Sequence, residues 1–122
     1  MKLDHDCIRN FLLYSEDELT LDSYIEQEKI EAFALSHNYS IDNVTYTILR
    51  LIEAGFIKVT HDMSGEYMVT SITWEGHQFL DTIRDDKVWK NTKSAVSTLA
   101  SVSLPVLAQI ATAQLRKILG LS

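Results

Sequence analysis

The feature that most constrains this chain is an abrupt change of hydrophobic rhythm at Gly55. Before it, Ile41, Val44, Ile48, Leu51 and Ile52 recur at spacings of mostly three and four, as on one face of a helix. After it, Ile57 and Val59 alternate with Lys58 and Thr60, and Tyr67, Val69 and Ser71 alternate with Met68 and Thr70, the period of half-buried strands. Ser40 is placed to cap the helix, and Gly55 to take the left-handed conformation that ends it. Asp62, Met63, Ser64 and Gly65 read as a turn, so the strands close into a hairpin. A helix that feeds directly into a two-stranded ribbon, with more helix ahead of it, is the order of a winged helix-turn-helix. The expected fold class is mainly α (α+β): a winged helix-turn-helix with a small β-hairpin wing, plus a C-terminal helical arm.

The flanking segments extend this reading. Asp4 can cap a first helix that carries Ile8, Phe11 and Leu12 and stops near Ser15. Leu19, Thr20 and Leu21 suit a minimal strand. Ser23 and Glu26 form a capping box that would open a second helix, with Ile25, Ile30, Phe33 and Ala34 on one face and its end at His37 and Asn38. Thr73 caps a fourth helix, with Phe79, Leu80 and Ile83 inward, expected to run to Trp89 or beyond. Residues 94–115 carry no charge, and Ser103 followed by Pro105 marks the start of a last helix that ends at Gly120. A chain of 122 residues buries one core. The division expected is a winged-helix domain at 1–89 and an arm at 90–122.

Charge narrows the function. Residues 1–55 hold four bases against eleven acids, while residues 56–122 hold seven against six, so the net −6 sits at the front. A negative surface repels phosphate, and nucleic-acid contact would have to come from locally basic patches. The single cysteine, Cys7, offers no internal disulfide, and no apolar leader follows a basic start, so a cytoplasmic location is expected.

The blocks Ile72-Thr-Trp-Glu-Gly-His77, Phe79-Leu-Asp81, Arg84-Asp-Asp86 and Trp89 resemble a family of uncharacterised phage and prophage proteins of winged-helix type, domain of unknown function 2513. The resemblance extends to Met1–Leu13, Leu51-Ile-Glu-Ala-Gly-Phe-Ile57, Ser101-Val-Ser-Leu-Pro-Val-Leu107 and Leu119-Gly-Leu121. It implies a winged-helix fold and carries no established activity with it.

Candidate residues follow from position and type. The third helix occupies the recognition position, where Asn43, Thr47 and Arg50 are the residues suited to bases and phosphates, opposed by Asp42 and Glu53. Lys58 on the wing, and Lys87 and Lys90 in a stripe with Arg84 and Lys93, complete the nucleic-acid candidates. Pairing with Asp81, Asp85 and Asp86 is the plainer account of that stripe. His77 lies four residues before Asp81, but no nucleophile, base and orienting group assemble from spacing, and no metal-ligand spacing occurs. No enzymatic activity, metal or cofactor is expected, and His77 reads as a packing or hydrogen-bonding residue near the helix start, with Trp74 as the aromatic beside it.

The last helix is apolar nearly all round, with Leu104, Leu107, Ile110, Ala111, Leu115 and Ile118 as candidates for self-association into a homo-oligomer. Eight Ser, Thr or Gln residues and a central proline in the uncharged tail argue against a membrane span. Two functions stay open: a phage or prophage regulator that touches duplex DNA, and an acidic protein-interaction module that acts on a host or phage protein.

Overall fold

The computed structural model describes residues 1–121. In chain order these form α1 (His5–Glu18), α2 (Gln27–Ser36), α3 (Ile41–Glu53), β1 (Ile57–His61), β2 (Tyr67–Ile72), α4 (Trp74–Ile83), α5 (Asp86–Val96) and α6 (Leu104–Ile118). The architecture is mainly helical with one antiparallel hairpin, a winged-helix-like arrangement as the change of rhythm predicted.

The junction at Gly55 behaves as its chemistry requires. Ser40 Oγ accepts the Asn43 N–H at 3.1 Å to start α3, and Gly55 at φ +78° turns the chain out of it. β1 and β2 pair from Ile57↔Ile72 to His61↔Tyr67, with a register shift between Lys58 and Val59. The Asp62 carboxylate closes the turn by accepting the backbone N–H groups of Ser64 at 2.9 Å and Glu66 at 3.1 Å. α4 then starts against the Gly55–Phe56 link between α3 and β1, where the Thr73 N–H donates to the Phe56 carbonyl. A side chain at Gly76 would overlap the Phe56 carbonyl oxygen, so the glycine of the Trp-Glu-Gly-His block is there for close approach.

Four local expectations need correction. α1 runs to Glu18, because Ser15 is buried inside it and returns its hydroxyl to the Phe11 carbonyl at 2.7 Å. The strand expected at Leu19–Leu21 lies instead at Ile25, which exchanges both backbone hydrogen bonds with Val69 at 2.9 Å; Leu21 stands 99% exposed. Ser23 opens no helix, since its hydroxyl donates to the Glu18 carbonyl and accepts from Thr20, and α2 begins only at Gln27. The fourth helix stops at Ile83, where Asp85 accepts the N–H groups of Lys87 and Val88 and starts α5.

The core is continuous from end to end. Phe11 meets Phe33 edge-on at 5.3 Å, and the same cluster takes in Val44, Ile48 and Leu51 of α3. It continues through Phe79, Leu80 and Ile83 to Trp89, Val96, Leu104, Leu107 and Ala111. The sequence-based boundary between residues 89 and 90 falls inside α5.

Candidate functional site

On α3, the side that a winged helix turns toward DNA is made by residues between the buried stripe positions. Ile41 is 39% and Leu49 45% exposed, and with Asp42 and Glu53 they give this side an apolar and acidic character. Half-buried Ile52 leads from it into a groove at the base of the wing, lined also by Lys58, Ile72 and Trp74. Trp74 is 74% exposed there. Placing Ile41 among the inward residues was thus incorrect, because its early turn overhangs the core.

The nucleic-acid candidates scatter. Thr47 is fully buried and reaches no groove, which corrects its assignment as a contact. It lies three residues after Val44 and four before Leu51, so it shares their face. Asn43 gives its amide to Asp4 Oδ2 at 3.3 Å. Arg50 donates from Nη2 to Glu53 at 2.6 Å and lies 5.1 Å from the Tyr46 ring, which holds it along its own helix. Lys58, Lys87 and Lys90 are exposed and make no ion pair among the described residues.

The rest of the basic stripe is committed to tertiary ties. Arg84 donates to both Glu16 oxygens at 2.7 Å and to Asp81 at 2.9 Å. That bidentate contact holds the Glu16 carboxyl below its usual range. Lys93 and the Trp89 indole both donate to Asp6 Oδ1 at 3.0 Å. Burial pushes Asp6 upward, but these two donors outweigh it and leave the carboxyl lowered. Asp86 pairs with Arg9, whose Nε and Nη2 also donate to the Ile83 and Arg84 carbonyls, so the α4–α5 break is fastened to α1.

His77 is exposed and lines a cleft with Glu16, Thr70 and Ser71. Among the described residues no group of three or more His, Cys, Asp or Glu could hold a metal. Burial pushes the Cys7 thiol up to about 11, which keeps it protonated and unreactive.

Of the candidate self-association residues, Leu104, Leu107 and Ala111 are buried within the chain itself, where α6 packs on α4 and α5. They are therefore not free to meet a second copy without unfolding the arm. Ile110 and Leu115 are half-buried and Ile118 is 39% exposed, beside exposed Val106 at 42% and Leu119 at 62%. Among the described residues no helix is long and apolar enough to cross a membrane.

Fold and surface together define a mainly helical, winged-helix-like scaffold whose recognition-position helix shows acid and aliphatic side chains. The chain belongs to the family described as Hypothetical protein (DUF2513), which matches residues 2–103. It is similar to an uncharacterized protein of Haemophilus influenzae, with 28% identity over 115 residues, covering 91% of this chain and 92% of that one. No solved structure matches the chain.

Proposed function

We propose that this chain is a non-enzymatic winged-helix protein of phage or prophage type that acts through protein contact, the acidic interaction module of the two readings. The observation that carries this is the outward side of α3, where Leu49 stands exposed between Asp42 and Glu53, Ile41 is exposed at the helix start, and the lone cation of the helix, Arg50, is tied to Glu53. Such a surface fits an apolar ridge flanked by Lys or Arg on a host or phage protein, because the acids complement that charge and repel phosphate. The test is capture from nuclease-treated bacterial lysate with wild type and Leu49→Glu side by side. One stoichiometric basic-flanked partner, held by wild type and lost by a variant with unchanged circular dichroism, supports the reading. Equal recovery by both, or recovery of nothing, removes it.

DNA regulation is the second reading, favoured by exposed Lys58, Lys87 and Lys90, which have no carboxylate partner among the described residues. Duplex binding at low salt that weakens in Lys87→Glu with Lys90→Glu would restore it to first place; no binding ends it. Self-association fits the outer side of α6, where Val106 and Ile110 lie in the uncharged run that ends before Arg116. Light scattering on the full chain should report a dimer that Ile110→Lys converts to monomer; a monomeric wild type excludes it.

A further inference from the structure

A cavity of about 390 Å³ opens between the C-terminal half of α3 and the segment that leads into α6. Leu3, Tyr46, Val102 and Pro105 give its walls an apolar part, beside Ser101 and Ser103. Two charges of opposite sign line it, Arg50 and Glu53, one helical turn apart and paired at 2.6 Å. The pair is poorly used. Among the described residues only Nη2 of the guanidinium has an acceptor, and the buried Nε has none. Glu53 is 61% exposed at its side chain, and so exposed a pair is worth less than about 1 kcal/mol, little for a ligand to displace.

An acid and a base side by side against an apolar wall complement a ligand that carries both charges on neighbouring atoms and an apolar body beyond them. A simple anion would meet Glu53, and a simple cation would meet Arg50. A zwitterion inserted between the two satisfies both, since its carboxylate takes the fork of Arg50 and its ammonium takes Glu53. We infer that this cavity binds a free α-amino acid with an aliphatic or aromatic side chain: carboxylate on Arg50, ammonium on Glu53, side chain against Leu3, Val102 and Pro105. The site shares Arg50 and Glu53 with the outward side of α3 proposed to meet a protein, but it is closed by Leu3 and the 101–105 segment and does not include Ile41 or Leu49. It joins α3 to the connection ahead of α6, so occupancy would hold that connection in place.

The test is calorimetric titration of the full chain with L-leucine and L-phenylalanine, alongside the methyl ester and the N-acetyl derivative of each. Saturable binding of a free amino acid, with each derivative weaker by about tenfold or more, is expected, because each derivative deletes one charge. Arg50→Gln and Glu53→Gln should each weaken binding to a similar degree while circular dichroism and melting temperature stay near wild type. No heat at millimolar ligand overturns the assignment, as does a derivative that binds as well as its parent or a variant that binds as well as wild type.

Discussion

α3 and α6 are alike at their ends and unlike on their sides. Each opens at a serine whose hydroxyl accepts the N–H three residues on, Ser40 from Asn43 and Ser103 from Val106. Each is followed by a left-handed glycine, Gly55 at φ +78° and Gly120 at φ +75°. Each sinks one stripe into the same core, Val44, Ile48 and Leu51 in one case and Leu104, Leu107 and Ala111 in the other. The outer sides then diverge, with Asp42, Leu49 and Glu53 on α3 and uncharged Val106, Gln109, Thr112 and Ala113 on α6. Local chemistry sets where a helix starts and stops, whereas the composition of its free side sets what it can meet.

The largest test of this parallel is in the core. If α6 is as integral as α3, Leu107→Ala and Ile48→Ala should cost alike, about 3–4 kcal/mol each, read from denaturant midpoints at constant slope. A loss below about 1 kcal/mol for Leu107→Ala, or a second unfolding transition, would make the arm a separate unit.

A smaller effect lies in the mooring of α5, on which α6 packs. Asp6→Asn should cost about 1–2 kcal/mol at neutral pH, because it weakens the hydrogen bonds from Trp89 and Lys93 that tie α5 to α1. The Asp6 carboxyl is lowered in the folded chain, so its contribution is complete above the unfolded-chain value and is lost as pH falls through the lowered folded value. Denaturation curves in acid should therefore converge for wild type and variant, while curves that stay parallel down to the lowest pH would refute the linkage.

Caps come last. Ser40→Ala and Ser103→Ala should each cost about 1 kcal/mol. Ser103→Ala should be the milder, since its bond is 3.4 Å against 3.1 Å. Thermal melts that rank them in reverse would mean the two ends are not equivalent after all.

What could be read from the chain tracks how local each decision is. The caps Asp4, Ser40, Thr73 and Ser103 were legible because an N-cap needs only the next three residues. Ser23 misled for the same reason: its pattern is a capping box, yet Ile25 is drawn into pairing with Val69, more than forty residues away in sequence, and the helix starts late. Thr47 was legible by position and missed by type. Its spacing from Val44 and Leu51 puts it inside, and threonine's hydroxyl suggested a surface role that the helix period overrules.

By itself the sequence determined α3, the hairpin that follows it and the caps of α1, α3, α4 and α6, because hydrophobic period, caps and glycines act over a few residues and are written in consecutive positions. Only the tertiary structure decided which cations remain free and which half of α6 is covered. Arg84 is consumed by Glu16, Lys93 by Asp6 and Leu107 by the core, all through contacts between residues far apart in the chain. Ion pairing and burial depend on distance in space, and no local pattern encodes that distance.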